Sequence, residues 1–316
     1  MKRIIALKMK NKNNVLIKLT ICLSILFLGC NNGSKVSSNI DNKQNNTMAS
    51  SIEESEYDKG LDIEKTFKDD VLKEYVLNFI DINKDGFLSK NEITSVSEIN
   101  INGHSDEKYK KLKSLDGIEL FTELKILTCY ECGLNKIDVS KNTKLEELYI
   151  GYTEVEELDI TNNKELKILD CSSTNINELD VSLNVLLEKI SINRTNISNI
   201  NLQELKNLDF FGCNRTNINE LDVSHNKKLC GLEINYTLIS NVNLSNNPEL
   251  NHFTCIGDDN IKDLDLSNNT KLKTLICFES GISELDLSNN PDIYEVECNL
   301  DTTIIGGDNI KYLTRY

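Results

Sequence analysis

The chain has little histidine, little arginine and no long apolar run, and each shortage removes a class of function. Its three histidines, His104, His225 and His252, are scattered, so its cysteines have no recurring partner for thiol catalysis. No nucleophile motif and no phosphate-cradling loop occurs either, and no enzyme is expected. Beyond residue 29 there are three arginines, Arg194, Arg215 and Arg315. With 35 basic against 50 acidic residues the formal charge is −15, which repels nucleic acid and anionic lipid at long range. The apolar run LTICLSILFLG, residues 19–29, is eleven residues long, too short to span a bilayer and of the length of a secretory h-region.

What the chain has in abundance is a period. An L-x-x-L-x-C or L-x-x-L-x-I signature starts at Leu124, Leu145, Leu166, Leu187, Leu208, Leu229, Leu250, Leu272 and Ile293, at steps of 21 residues and once of 22, from Leu250 to Leu272. Such a period marks a solenoid, whose coils bury their apolar sides against one another. In each coil positions one, four and six point inward, as Leu166, Leu169 and Cys171 do; ten residues later Ile176, Leu179 and Val181 repeat the pattern. Alternation on both half-turns predicts short strands on both sides, hence two parallel sheets. Small polar residues recur at position nine: Cys132, Thr153, Thr174, Thr195, Thr216, Thr237 and, after the insertion, Ser280. They suit the bonding of turn groups that would otherwise be buried unpaired. The second half-turn carries Asn142, Asn163, Asn184, Asn226, Asn247, Asn269 and Asn290, with Leu205 breaking the series. The fold class is α/β leaning to β: about nine coils of parallel short strands behind a small helical N-terminal cap.

The start of the chain reads as an export signal. Residues 1–18 are basic, the apolar run follows, and Gly29 precedes Cys30. This resembles a bacterial lipobox, with Phe27 where the commonest form has Leu; the resemblance implies lipid on Cys30 and removal of residues 1–29. Met9 offers a second start. Losing the six basic residues among residues 1–29 takes the formal charge from −15 to −21. Residues 31–56 are polar and nearly free of apolar side chains, the composition of a flexible tether. The expected organisation is signal peptide 1–29, lipidated cysteine and tether 30–56, cap 57–95, and solenoid with its C-terminal cap 96–316.

The ten cysteines first suggest a disulfide framework. Cys129, Cys171, Cys213, Cys255, Cys277 and Cys298, however, all fall at inward position six, where cysteine acts as a small hydrophobe. Adjacent coils bring Cys255, Cys277 and Cys298 within disulfide range; free thiols are the favoured reading.

Before the repeats, residues 67–80 form an amphipathic helix pattern with Phe67, Val71, Leu72, Tyr75, Val76, Phe79 and Ile80 on one face, and Thr66 with Asp69 fits a capping box. Then comes DINKDGFLSKNE, residues 81–92, which matches an EF-hand calcium loop. Asp81, Asn83 and Asp85 supply side-chain oxygens, Phe87 its carbonyl, Ser89 a ligand direct or through water, and Glu92 two oxygens; Gly86 allows the turn. No second loop is present to pair with it, and a long exit helix is not expected. Residues 96–123 read as an irregular first coil, and 301–316 as the cover of the far end.

Together these motifs resemble the short two-motif leucine-rich repeats of bacterial surface lipoproteins, similar in logic to internalin-type adhesins, with a calcium-binding cap in front. The resemblance implies a lipid-anchored protein of the bacterial cell envelope, in the outer membrane or at the cell surface. It also implies a protein ligand, from a host or a neighbouring cell, on the variable first-strand face. The membrane is reached through the lipid alone.

Outward positions three and five of the first half-turn are mixed from coil to coil. On the opposite side Asp138, Asp159, Asp180, Asn201, Asp222, Asn243, Asp265 and Asp286 form a uniform ladder, read as bonding to turn amides, with a calcium-binding stripe as the alternative. On the variable face Arg194 and Arg215 share position eight of consecutive coils, with Phe210, Tyr149, Tyr152 and Tyr236 around them, residue types enriched at binding hot spots. Glu188 or Glu233 would neutralise the pair on a merely solvated surface. A surface binding module is therefore expected, with a purely structural envelope lipoprotein as the alternative.

Overall fold

A computed structural model describes residues 60–316; the expected signal peptide 1–29, the expected lipidation at Cys30 and the expected tether 30–56 lie outside the described residues. Among the described residues no helix is long and apolar enough to cross a membrane.

Each of the nine repeats contributes one short strand beginning at its third position. These are β4 (Ile126–Thr128), β5 (Glu147–Tyr149), β6 (Ile168–Asp170), β7 (Lys189–Ser191), β8 (Phe210–Gly212), β9 (Gly231–Glu233), β10 (His252–Thr254), β11 (Thr274–Ile276) and β13 (Glu295–Cys298). With β3 (Glu98–Asn100) from the irregular first coil and β15 (Tyr312–Arg315) from the tail they make one parallel sheet of eleven strands. The register runs position to position, Leu148 beside Leu169 and Leu169 beside Ile190. The central residue of every repeat strand is buried, from Leu127 through Phe211 and Phe253 to Val296. These apolar side chains belong to one continuous core that also takes in the cap.

The second side corrects the expectation of two full sheets. There, neighbouring coils share single main-chain bonds, such as Glu154 N–H to Leu134 O at 2.8 Å and Asn175 N–H to Val155 O at 2.9 Å, and a ladder forms only between β12 (Glu284–Leu287) and β14 (Thr303–Gly306). The aspartates do not themselves prevent pairing, since Asp286 of β12 accepts from Ser288 N–H at 2.9 Å; they close the turn that follows the half-turn. Asp138, Asp159 and Asp180 each accept the amide two residues on, at 2.9 Å. Asn201 and Asn243 do the same through their side-chain carbonyls, at 2.9 and 3.0 Å, which explains why asparagine alternates with aspartate there. The structural reading of the ladder is thus the one observed.

The buried asparagines tie coil to coil. Asn163 Nδ2 donates to Val139 O at 3.0 Å and Asn142 O at 2.8 Å, and Asn226 does likewise to Leu202 O and Leu205 O. Hydroxyls at position nine donate to the carbonyl three residues back, as Thr174 does to Cys171 O at 2.7 Å, except that of Thr237, which donates to Asp258 Oδ1. Cys129, Cys132, Cys171, Cys213, Cys255, Cys277 and Cys298 are buried free thiols, and burial raises the Cys171 and Cys255 thiols.

At the N-terminal end the helix is shorter than its pattern suggests. α1 (Ile63–Thr66) is a single turn and α2 spans Asp70–Phe79. The cap of α2 is Asp69, whose Oδ1 accepts from Val71 and Leu72 N–H; Thr66 instead returns its hydroxyl to Asp62 O. Asp69 Oδ2 accepts from Lys113 and Ser114 N–H, fastening helix to first coil. Phe67 is buried and stacks on Phe121 at 6.2 Å, and Gly117 leaves it room, since a Cβ there would lie 2.5 Å from its ring. Phe79 is 64% exposed, off the core face the pattern gave it. At the other end the tail adds one strand to each side, β14 on β12 and β15 on β13, with Gly306 and Gly307 at positive φ turning between them.

Candidate functional site

The cap loop is built around Asp81, which is 1% exposed. Its Oδ2 accepts from Gly86 N–H at 3.0 Å, while its Oδ1 is buried without a hydrogen-bond partner. Asn83 Oδ1 takes Asp85 N–H and Asp85 Oδ1 takes Phe87 N–H. Glu92 reaches back across the loop: Oε1 accepts from Ile82 N–H, Oε2 from Ser89 N–H and its hydroxyl. These bonds hold the Glu92 carboxyl below its ordinary range, against the desolvation that opposes them. Glu92 and Ser89 also form the capping box of the six-residue exit helix α3 (Lys90–Ser95). In place of a second loop, β2 (Phe87–Leu88) pairs antiparallel with β1 (Leu61–Asp62). No group of three or more His, Cys, Asp or Glu side chains is gathered closely enough to hold a metal among the described residues. Asp81, Asp85 and Glu92 are separately engaged by loop amides, and Asp81 Oδ1 is left buried without a hydrogen bond.

On the first-strand face, position eight has an unexpected property. Glu131, Tyr152, Ser173, Arg194, Arg215, Tyr236 and Glu279 all have φ between 54° and 58°, and Gly257 takes the same place at 73°. The left-handed conformation is uncommon for residues other than glycine. Here it recurs because the turn leaving each strand is stacked on the next, with Arg194 N–H bonded to Asn214 O at 2.7 Å and Arg215 N–H to Asn235 O at 2.8 Å. Position eight is therefore a ridge along one edge of the sheet.

The predicted patch divides along this ridge. Arg194 and Arg215 are exposed on successive coils. The Arg215 guanidinium lies 4.2 Å from the Tyr236 ring centroid, within cation–π range. Tyr236 in turn donates its hydroxyl to Glu279 Oε2 at 3.2 Å, and it lies over Gly257, where a Cβ would approach its ring to 2.2 Å. Phe210 is on the strand of the Arg215 coil, its ring across Gly231. Tyr152 sits two coils before Arg194 and pairs with Tyr130 at 5.2 Å; Tyr149 donates to Glu147 at 2.7 Å. The structure thus joins Arg194, Arg215 and Tyr236 and sets Tyr149 and Tyr152 apart. Neither Glu188 nor Glu233 neutralises the arginines: the ion pairs of the described residues include neither Arg194 nor Arg215, and Glu233 faces Asn214 and His252. Tyr130 was legible as the residue before the ridge in its coil. Asn214 and Asn235, which bond coil to coil beneath the ridge, show in the sequence as Asn193, Asn214 and Asn235 one repeat apart.

The architecture is an internalin-like leucine-rich repeat solenoid. No protein-family model matches the chain, and no curated protein matches its sequence. Among solved structures it is similar to an internalin (inlF) from Listeria monocytogenes, at 21% identity over 81% of this chain and 77% of that one, with a TM-score of 0.73. It is similar also to an internalin C2 from the same organism, at 18% identity over 79% and 100% of the two chains, TM-score 0.62. A leucine-rich repeat protein of Leptospira interrogans matches at 15% identity over 69% and 58%, TM-score 0.58. At such identities the likeness is one of fold.

Proposed function

We propose that the chain is a protein-binding module of the bacterial cell envelope, anchored through lipid on Cys30, that engages a protein partner with its first-strand face around Arg194, Arg215, Phe210 and Tyr236. The observation that carries this reading is the exposed arginine pair on the ridge. On a chain of net charge −15 two neighbouring guanidiniums lack acidic partners among the described residues, and one is held in place by an anchored tyrosine. Like charges one strand spacing apart, roughly 4.8 Å, add nothing to packing, whereas arginine beside tyrosine is the composition of a hot spot. Tyr149 and Tyr152 extend the surface towards the N-terminal coils. Calcium belongs to the same proposal, with Asp81, Asn83, Asp85, Phe87, Ser89 and Glu92 as ligands that tie the cap to the first coil; the orphaned Asp81 oxygen supports it.

The test is a pull-down with residues 56–316, with and without calcium, followed by affinity measurement on the captured partner. Arg194→Ala with Arg215→Ala is expected to weaken binding by about 2 kcal/mol or more and leave the melting temperature unchanged; unaltered affinity would move the site off the ridge. Chelation is expected to lower the melting temperature, with Glu92→Gln mimicking it, because an ion bound by the folded loop alone stabilises by mass action. Absence of any calcium-dependent shift removes the ion from the proposal. Cys30→Ala should shift the protein out of the membrane fraction.

A further inference from the structure

Between β8 and β10 the strand face closes over a carboxylate that no lysine or arginine of the described residues neutralises. Glu233, at the fifth position of its coil, is 2% exposed, with Gly212 beside it on one neighbouring strand and Thr254 on the other. Oε2 accepts from Asn214 Nδ2 at 2.7 Å. Oε1 faces His252 Nε2 at 3.8 Å, beyond hydrogen-bond reach. The Thr254 hydroxyl next to it is buried and has no hydrogen-bond partner. His252 is the partly exposed wall, its side chain 19% open to solvent.

A buried carboxylate with a single donor is costly, and the repeat does not require one. Neighbouring strands put Ser191, Gly212 and Thr254 at the same position, so a small neutral residue would pack there. What the recess has to spare is three acceptors: Glu233 Oε1, Thr254 Oγ1 and the imidazole nitrogen of a histidine whose burial disfavours its protonation. A primary ammonium group has three donors on one atom. An arginine fork is planar and spreads its donors over a wider edge, so it matches the three less well.

We infer that Glu233, Thr254 and His252 form a recess for a primary ammonium group, a lysine side chain or an N-terminal amine, presented by a protein docking on the first-strand face. The protein source rests on the function proposed above; the recess itself does not. The ammonium enters beside His252, gives one hydrogen bond to each of the three acceptors and leaves the Asn214 contact in place. Burial pushes the Glu233 carboxyl up to about 7, and the titratable group facing it is His252 on β10, while Asn214 and Gly212 on the β8 side carry no charge. Binding of the cation therefore expels a proton, and apparent affinity scales with the deprotonated fraction.

The experiment titrates the full chain with millimolar n-butylammonium, for the lysine side chain, and glycinamide, for the N-terminal amine, read by ligand-observed NMR. The expected result is saturable binding of one of them, tighter at pH 8 than at pH 6 by roughly tenfold for butylammonium and about fivefold for glycinamide, whose own amine is about half deprotonated at pH 8, lost in Glu233→Gln and weakened in Thr254→Val, which keeps the shape of the side chain. Preference for butylammonium assigns the lysine source, preference for glycinamide the N-terminal one. No saturable binding of either amine, or equal binding by wild type and both variants, overturns the recess. Either failure leaves the arginine-ridge reading standing, since that is read by the pull-down. Amine binding without any captured partner has the opposite meaning: the recess stands and the protein partner falls.

Discussion

On the second side of the coil a polar residue at a given position does the same thing in coil after coil; at the outward strand positions of the first side it does something different each time. The aspartate of the second half-turn always takes an amide two residues on, and the buried asparagine always donates to two carbonyls of the preceding coil. On the first face Tyr149 holds Glu147, Tyr236 supports Arg215, and Glu233 is left with one donor and an empty acceptor. Repetition marks groups that satisfy the backbone, which is the same in every coil. Departure from repetition marks groups that the backbone does not need.

The sharpest way to test that division is by pH, because both irregular buried carboxyls are raised by desolvation. Burial takes Glu233 from 4.5 to about 7. It takes Asp258, which stands at position nine where other coils have a hydroxyl, from 3.8 to about 7. Asp258 Oδ1 accepts from Thr237 N–H and its Oδ2 is buried without a partner. A folded pKa above the unfolded one means that the folded protein binds more protons in between. The stabilisation is then complete below about pH 4 and is lost as pH rises through about 7. Each unit is worth about 1.4 kcal/mol, so these two groups should make unfolding several kcal/mol easier at pH 8 than at pH 5. Glu233→Gln and Asp258→Asn should each flatten that profile; a slope unchanged in both variants would mean the two carboxyls titrate as exposed ones do. Glu146, lowered to about 2 by Lys125 and Lys167, works in the opposite sense and in a separate window, below its ordinary value.

A smaller loss should follow from breaking the repeating side. Asn226→Ala removes two buried hydrogen bonds, to Leu202 O and Leu205 O, and leaves a small cavity, for an expected cost of about 2–4 kcal/mol in denaturant unfolding. Asn226→Leu should cost less, because the preceding coil already accommodates Leu205 at that position, fully buried. Equal losses would mean that the coil-to-coil hydrogen bonds, rather than the filled space, carry the whole effect.

The two sides also differ in how far they could be read from the sequence. The period and the inward positions were legible to the residue, because stacking forces the same apolar choice in every coil. The second sheet was expected along all the coils and forms only between β12 and β14, since alternation at Ile176, Leu179 and Val181 looks strand-like although neighbouring coils share only single main-chain bonds there. The helix boundary moved because Asp69 and Thr66 both suit a cap by type, and only the reach to Val71 and Leu72 decides between them. At the patch, residue type pointed to Arg194, Arg215 and Tyr236. The left-handed ridge that aligns them was hidden, because Tyr, Arg, Ser and Glu at position eight share no backbone preference. Glu233 was read as a neutralising surface acid; its burial depends on Asn214 and His252, one coil away on either side.

The smallest effect belongs to the aspartate ladder, and it separates a structural ladder from a cation-binding stripe. Asp180 accepts Ser182 N–H at 2.9 Å, and this bond holds its carboxyl below the ordinary range. Asn201 and Asn243 make the equivalent bond without a charge. If the amide is the reason for the residue, Asp180→Asn should leave unfolding stability within about 0.5 kcal/mol of wild type. Asp180→Ala, which loses the acceptor, should cost about 1 kcal/mol. Were the stripe a cation site, removing the charge would matter as much as removing the side chain, and the two variants would lose the same calcium-dependent stabilisation. Thermal unfolding of both variants, with calcium and with chelator, decides it: a ranking of wild type equal to Asn and above Ala in both conditions assigns the ladder to the turns.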